Sequence, residues 1–239
     1  MEFKDRKEKE AFVHSVFSSI AYRYDLLNTV LSFNQDRYWR RFAVRKCNLK
    51  PGDKALDVAC GTGKLSLELA KVVGSNGQVV GIDFCEEMLN IANSNISKTP
   101  FKEVIKFIHG NAMDLPFPEN TFDCATIAFA LRNVSDVQQT ISEMTRVVKR
   151  GGRVVNLELS KPTMPVFKQL YALYFNGLVP VMGRLGVGKK GPYSWLPESL
   201  KSFYSPDQIT GIYRECGLTE VCCYPLTGGI VTVHVGTKK

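Results

Sequence analysis

The chain lacks the features that mark several classes of protein. No apolar run reaches the roughly 18 uninterrupted residues of a bilayer-spanning helix, so no such helix is predicted. The first ten residues, MEFKDRKEKE, carry charges of both signs and no apolar segment, so we expect no secretory signal peptide. With 19 glycines, 11 prolines and 44% hydrophobic residues in 239, a collagen-like, low-complexity or disordered chain is excluded. The class of protein that these exclusions leave is a globular protein with a sizeable core.

Cysteines are few and show no metal-binding spacing. There are seven, an odd number and mostly scattered, which is typical of a reduced cytoplasmic protein. Cys222 and Cys223 are adjacent in a predicted strand, so their side chains point to opposite faces of a sheet and cannot share a zinc ion. The sequence therefore predicts no metal site.

Acidic residues are in deficit. The chain has 31 Lys and Arg against 23 Asp and Glu, a net charge of +8. The basic surplus lies in residues 1–50 and 161–204, whereas residues 51–160 are slightly acidic. Such a surplus indicates an anionic partner, either nucleic acid or a membrane surface.

From Asp53 onward, short apolar segments alternate with helical patterns. Five strands are predicted, at Lys54–Ala59, Gln78–Ile82, Val104–His109, Phe122–Ala128 and Arg153–Leu159. This alternation predicts an α/β fold with a parallel sheet covered by helices on both faces. Two later strands, at about 218–225 and 230–237, predict an antiparallel hairpin beside it. Before the sheet, apolar residues recur every fourth position and predict an amphipathic helix, at Phe12, Val16, Ile20 and Tyr24.

A glycine-rich turn follows the first predicted strand and ends in Gly61-Thr62-Gly63. Such a turn lets a ligand approach the backbone near the positive end of a helix. Ser66 stands where the dinucleotide-binding fingerprint has a third glycine or alanine, which disfavours NAD.

Polar residues at the ends of successive strands extend this pattern. Asp57 can hold a cation such as an α-amino group, Asp83 can accept both ribose hydroxyls, and Asn111 offers an amide to an adenine edge. An amino-acid end, a ribose and an adenine, with no phosphate partner, describe S-adenosyl-L-methionine. We predict that this cofactor is bound by Asp57, Gly61, Gly63, Asp83, Phe84 and Asn111.

Longer motifs resemble the ubiquinone/menaquinone biosynthesis C-methyltransferase family, within the class I methyltransferases, over nearly the whole chain. The first signature lies over Tyr24-Asp25-Leu26-Leu27-Asn28, Leu31-Ser32 and Trp39, with Leu27 in place of Met and Asp36 in place of His. The second lies over Arg146 to Gly152, Glu158 and Ser160, with Arg150 in place of Pro. Further matches are Phe129 to Val134, Tyr193 to Leu200 and Gly229 to His234.

The resemblance implies a Rossmann-like fold: a mainly parallel seven-stranded sheet with helices on both faces, an antiparallel C-terminal strand and an N-terminal helical arm. It also places Thr62 and Ala112, with Asp83 and Asn111, at the cofactor. The implied organisation is a single domain made of a helical arm (1–50), a cofactor-binding core (51–160), an acceptor-side insert (161–204), and a C-terminal helix and hairpin (205–239).

The implied reaction moves a methyl group from S-adenosyl-L-methionine to a ring carbon of a polyprenylated quinol. The acceptor is demethylmenaquinol or, alternatively, a polyprenyl benzoquinol. We predict that Arg132 stabilises the phenolate form of the acceptor. Candidates for the base, or for orienting the acceptor, are Asp25, Tyr24, Tyr193 and His234. We expect the N-terminal helix and the Tyr171, Tyr174 and Phe175 stripe to form a lid over an isoprenoid-binding groove.

Three alternatives differ in acceptor or class. Another phenolic or lipid-like acceptor stays open. An RNA methyltransferase is disfavoured, because no amino-methylation motif of the Asn-Pro-Pro-Tyr type follows the fourth strand and no RNA-binding module is present. A cofactor-binding scaffold without turnover would be favoured by the loss of Asp57, Asp83 or the glycines of the turn, and all of these are present. With nucleic acid disfavoured, the basic segments predict a cytoplasmic protein that docks on the anionic inner face of a membrane. The oligomeric state stays open, a homo-oligomer included.

Overall fold

The computed structural model describes residues 3–162 and 195–239. Its helices are α1 (Arg6–Leu31), α2 (Gln35–Lys46), α3 (Lys64–Val73), α4 (Glu86–Ser97), α5 (Val137–Val147), α6 (Trp195–Ser202) and α7 (Pro206–Glu215). Its strands are β1 (Lys54–Val58), β2 (Gln78–Asp83), β3 (Ile105–His109), β4 (Phe122–Ala128), β5 (Val148–Leu159), β6 (Leu218–Leu226) and β7 (Val231–Lys238), and a short 3-10 helix covers Thr227–Gly229.

The strands form one seven-stranded sheet in the order β3-β2-β1-β4-β5-β7-β6. Strands β1 to β5 run parallel, and β7 runs antiparallel to both β5 and β6. The mainly parallel sheet and the antiparallel C-terminal hairpin are therefore confirmed. Because the chain moves outward from β1 to β3 and then returns to β4, the order reverses between β1 and β4. Ligands in open α/β sheets bind at such a reversal, beyond the carboxyl ends of the strands.

Helices cover both faces of this sheet, as the apolar strand segments predict. Alternate residues of β1 reach opposite sides: Ala55 packs in the cluster that contains Leu69 of α3, and Leu56 packs with Ile141 of α5. All of these side chains are fully buried. The sheet is thus a rigid base from which the loops at its carboxyl edge project.

The boundary between α5 and β5 differs from the prediction. In the sequence, Val148 continues the helical spacing of the apolar residues before it. The structure ends α5 at Val147 and begins the strand at Val148, five residues before the predicted start at Arg153. Val148 has extended backbone angles and pairs with Phe122, and the register then shifts before Arg153 pairs with Cys124. The β-branched valine satisfies both patterns, and pairing with a neighbouring strand decides between them.

Helix α1 packs along α4 and buries Val13, Val16 and Ala21. The predicted stripe is confirmed at Val16, whereas Ile20 and Tyr24 are only partly buried. In the described parts of the chain, no helix combines the length and the apolar character needed to cross a bilayer.

Candidate active site

The glycine turn between β1 and α3 has two differently used glycines. Gly61 and Gly63 both have positive φ angles, of 54° and 78°. A Cβ atom on Gly63 would lie 2.6 Å from the Phe107 ring, whereas one on Gly61 would meet no atom within 4 Å. Gly63 is therefore required for packing, and Gly61 leaves its backbone open to a ligand.

Asp83, at the end of β2, holds this turn. Its carboxylate accepts hydrogen bonds from Gly61 N at 2.8 Å and from Cys85 N at 3.0 Å. Burial raises the pKa of Asp83, and these backbone donors oppose that rise. Each carboxylate oxygen keeps a further lone pair, so the group can still accept ligand hydroxyls.

Asp57, near the end of β1, is more deeply buried than Asp83. It accepts hydrogen bonds from the Ser66 hydroxyl at 2.6 Å and the Thr126 hydroxyl at 3.2 Å, and only 1% of the residue is exposed. Burial raises the pKa of Asp57 to about 7, and the two hydroxyl donors only partly oppose it. Asp57 does not line the adjacent cavity, so its predicted contact with an α-amino group stays a prediction.

A cavity of about 330 Å³ lies at the reversal point of the strand order, between the carboxyl edge of the sheet and α1. Several residues of the predicted cofactor set line it, namely Gly61, Asp83, Phe84, Asn111 and Ala112. Thr62 and Gly63 shape the turn without lining the cavity. The other lining residues are mostly apolar, as expected for a cofactor or small-molecule site.

Helix α1 forms one wall of this cavity, and of the residues in that wall only Tyr24 was singled out from the sequence. Glu10, Val13, Phe17 and Tyr24 line the cavity, at intervals of three, four and seven residues. This spacing defines one face of a helix. The same spacing is visible in the sequence, but it lies beside the Phe12 and Val16 stripe, which gives the stronger apolar pattern.

Asp25 connects α1 to the glycine turn. Its Oδ1 accepts a hydrogen bond from the Thr62 hydroxyl at 2.7 Å and lies 3.4 Å from the Lys64 ammonium. Next to it, Tyr24 is partly buried, and this burial raises the pKa of its hydroxyl, while a hydrogen bond with the Asn28 side chain lowers it. Tyr24 is therefore neutral near pH 7 and lines the cavity, and Asp25 joins the helix to the turn.

Arg132 lies in the loop after β4, and its guanidinium is paired. Nη1 donates to Glu158 Oε1 at 2.6 Å and to the Phe129 carbonyl at 2.6 Å. Arg132 lines a second, polar cavity of about 340 Å³, beside Arg6 and Lys9, rather than the first one. Its predicted contact with the acceptor stays a prediction. The candidates Tyr193, Tyr171, Tyr174 and Phe175 lie outside the described residues.

The loop that contains Arg132 is held in place from several sides. Phe129 has a positive φ of 58°, lines the first cavity and packs 6.2 Å from the Trp39 ring. Asn133 also lines the cavity, and its side chain accepts a hydrogen bond from Trp195 Nε1 at 2.9 Å. A non-glycine residue at positive φ is strained, so these contacts fix the loop in one conformation.

Comparison with known proteins identifies close relatives. A model of the ubiE/COQ5 methyltransferase family matches residues 4–238. A demethylmenaquinone methyltransferase of Desulfitobacterium hafniense is 47% identical over 232 residues, which cover 97% of this chain and 92% of the relative. The enzyme of the same name from Alkalihalophilus pseudofirmus is 45% identical over 230 residues, 96% of this chain and 97% of the relative.

Solved structures show the same fold at lower identity. A SAM-dependent methyltransferase from Aquifex aeolicus superposes with a TM-score of 0.66 at 21% identity, covering 93% of this chain and 98% of that one. A protein of Thermotoga maritima described as a SAM-dependent methyltransferase gives 0.65 at 19% identity, with 94% and 99% covered. These likenesses establish the Rossmann-like architecture.

Proposed function

The chain belongs to the ubiE/COQ5 methyltransferase family, and from that membership we propose that it transfers the methyl group of S-adenosyl-L-methionine to a ring carbon of demethylmenaquinol, in menaquinone biosynthesis. The observation that carries the proposal is the cavity between the glycine turn and α1, together with relatives of about the same length that bear this activity in their names. The cavity joins polar groups suited to the cofactor to an apolar wall suited to a prenylated ring.

The residues at the cavity fit the cofactor. Asp83 keeps lone pairs for the ribose hydroxyls, and Asn111 and Ala112 border the region where an adenine edge would pair. Gly61 gives the space for a close approach to the backbone. S-adenosyl-L-methionine supplies an electrophilic methyl group bound to a positively charged sulfur. The protein's part is to hold this group in line with the acceptor carbon, an effect of orientation that can provide much of the rate enhancement.

The acceptor requires ionisation before its ring carbon attacks. A phenol titrates near pH 10, so unaided ionisation at pH 7 costs about 4 kcal/mol. Tyr24 lines the cavity and is neutral, and its hydroxyl is proposed to donate a hydrogen bond to the developing phenolate, which stabilises the charge. Asp25, the adjacent residue, is proposed as the base or orienting group, with Thr62 and Lys64 as its present partners.

Arg132 is proposed to act on the same phenolate, directly or by orienting its surroundings. Its pairing with Glu158 leaves Nε buried, with no hydrogen-bond partner among residues 3–162 and 195–239. Because Arg132 also donates to the Phe129 carbonyl, it fixes the loop that carries Phe129 and Asn133 at the cavity wall. Because the Glu158 carboxylate balances the charge of Arg132, the proposed effect of Arg132 on the acceptor runs through the position of this loop.

Membrane contact follows from the nature of this acceptor, because a polyprenyl chain resides in a bilayer. On α1, Tyr22, Leu26 and Val30 repeat every four residues and are 90%, 66% and 47% exposed; Phe33, in the turn that follows, is 74% exposed. This apolar stripe lies in the segment that carries part of the basic surplus. We propose that the stripe enters the interfacial region of an anionic membrane while basic side chains contact the headgroups.

The alternative acceptors are a polyprenyl benzoquinol and another lipid-like phenol. The deciding experiment incubates the purified protein with methyl-labelled S-adenosyl-L-methionine and each of three reduced acceptors: demethylmenaquinol, a polyprenyl benzoquinol and a short-chain phenol. We expect label in a product of demethylmenaquinol that is one methyl group heavier, measured by mass spectrometry. Turnover of the benzoquinol in its place would reassign the acceptor, and no labelled quinol at all would refute the proposal.

A further inference from the structure

Three side chains with metal-binding atoms meet between α1 and the start of α4. They are His14 on α1, Cys85 immediately before α4, and Glu87 in its first turn. Their potential ligand atoms all lie within 4.8 Å of one another, and the Cys85 Sγ to Glu87 Oε2 distance is 3.2 Å. Within residues 3–162 and 195–239, no other group of three or more His, Cys, Asp or Glu side chains brings its potential ligand atoms this close together.

The Ser18 hydroxyl lies at the centre of this group. It is 3.4 Å from His14 Nδ1, 3.5 Å from Cys85 Sγ and 2.9 Å from Glu87 Oε2. The three ligand atoms therefore already surround one small polar group. An ion in that central position requires the serine hydroxyl to rotate away from it.

The residue types select a particular ion. Thiolate, imidazole and carboxylate are the ligands of Zn²⁺, at about 2.3 Å for sulfur and about 2.0 to 2.2 Å for nitrogen and oxygen. A tetrahedral ion holds such atoms about 3.4 to 3.6 Å apart by the same bond lengths, so the side chains need to close by about 1 Å. We propose that His14, Cys85 and Glu87 bind one Zn²⁺ ion, with water in the fourth position.

Binding would release the Cys85 thiol proton to solvent, because the thiolate is the ligand. The sequence predicts no metal site because His14 and Cys85 come from separate elements, which only the packing of α1 against α4 brings together.

The site would join two elements that border the main cavity. His14 packs against the Phe84 ring with 5.5 Å between ring centroids, and Phe84 lines the cavity. Val13 and Phe17, on either side of His14 in α1, line it as well. An ion shared by α1 and α4 therefore restrains the α1 wall without touching the cavity itself. Slower amide exchange in α1 is the expected consequence.

The test titrates the metal-free full chain with Zn²⁺ against a chromophoric chelator, and repeats the titration with Co²⁺ to record the thiolate-to-cobalt absorption. We expect one ion per chain. Cys85→Ser and His14→Gln should each lower the Zn²⁺ affinity at least about tenfold, because replacing even a residue that only hydrogen-bonds to a metal ligand has an effect of that size. Cys85→Ser should also lose the thiolate absorption. The matched control is Cys222→Ser, which removes an exposed thiol on β6 and should leave both readouts unchanged.

Ser18→Ala separates a metal site from a hydrogen-bond network. The network loses its central hydroxyl in this variant, whereas the metal site retains its three ligands, so Zn²⁺ affinity should be preserved. Should Cys85→Ser fail to fold, His14→Gln at its half-buried position carries the same test. No saturable binding by the unaltered chain, thiolate absorption that persists in Cys85→Ser, or loss of binding in Ser18→Ala would each overturn the proposal.

Discussion

The Asp25 carboxylate accepts a 2.7 Å hydrogen bond from the Thr62 hydroxyl, and this contact joins the first helix to the glycine turn. The helix forms one wall of the main cavity and the turn forms another. This pair, supported by Lys64, is therefore one of the contacts that hold the helix beside the glycine turn.

Removing the hydroxyl with Thr62→Val should weaken the binding of S-adenosyl-L-homocysteine about tenfold, because a hydrogen bond to a charged group contributes about 1.5 to 3 kcal/mol. Thr62→Ser keeps the hydroxyl and should bind normally. Asp25→Asn should show a similar loss, and the double variant should lose little more than either single one. Isothermal titration calorimetry measures all four, and fully additive losses would show that the two residues act independently.

Asp57 should make stability depend on pH. Its pKa is raised to about 7 in the folded protein, from about 3.9 in an unfolded chain. The folded state therefore binds the proton more tightly, and this contribution to stability, full below about pH 4, is lost as the pH rises through 7. Between pH 5 and pH 8 the loss is about 3 kcal/mol for this group.

Asp57→Asn should remove that dependence, since the amide does not ionise and its oxygen can still accept from Ser66. Urea unfolding of both proteins at the two pH values gives the comparison. Asp83, whose pKa is raised in the same direction, is present in both proteins and cancels in the difference. Equal losses of stability in the two proteins would contradict the role assigned to Asp57.

Asp36, which departs from the family signature, forms a buried ion pair with Arg40. The residues are 2% and 7% exposed, and Arg40 also lies over the Phe129 ring at 5.3 Å. Asp36→Ala should lower the free energy of unfolding by about 3 to 5 kcal/mol, because it leaves a buried charge without its partner. Replacing both residues, by Asp36→Ala with Arg40→Met, should recover much of the loss. A double variant no more stable than Asp36→Ala would exclude this explanation.

Membrane binding should depend on the exposed stripe of α1. Leu26→Glu and Phe33→Glu should each reduce binding to vesicles of anionic phospholipid by about tenfold or more, since burying such a side chain contributes about 1.5 to 3 kcal/mol. Tyr204→Glu, at another exposed aromatic position, is the matched control and should have a smaller effect. Co-sedimentation with vesicles at low and high salt measures the apolar and the electrostatic contributions to binding. Binding that is indifferent to the stripe, or to salt, would remove this face from the proposal.

The sheet and the glycine turn were predictable because local patterns specify them. Buried parallel strands are continuous apolar segments, and the positive φ angles at Gly61 and Gly63 favour glycine. The partners of Arg132 and the cavity face of α1 were not predictable in the same way. Arg132 pairs with Glu158, 26 residues away, and nothing in the local sequence of either residue selects the other. Helix α1 contacts both the core and the cavity. The apolar spacing of its core face is the stronger pattern in the sequence, so the cavity face cannot be identified from the sequence alone.

Two glycines offer a matched pair of substitutions with opposite effects. Gly63 has a φ of 78°, and an added Cβ atom would lie 2.6 Å from the Phe107 ring, so Gly63→Ala should destabilise the protein by about 1 to 3 kcal/mol. Gly211 lies inside α7, where a Cβ atom would meet nothing within 4 Å. Gly211→Ala should therefore raise the free energy of unfolding by about 0.5 to 1 kcal/mol, the helix propensity difference.

The midpoint of urea unfolding distinguishes the two variants, and cofactor binding should be impaired only in Gly63→Ala, because only that glycine shapes the turn beside Gly61. If Gly63→Ala bound S-adenosyl-L-homocysteine normally and unfolded at the wild-type midpoint, the Phe107 ring would have to move aside at no cost. The tight packing of this ring against Gly63 and Gly81, whose added Cβ atom would lie 2.5 Å from it, argues against such a movement.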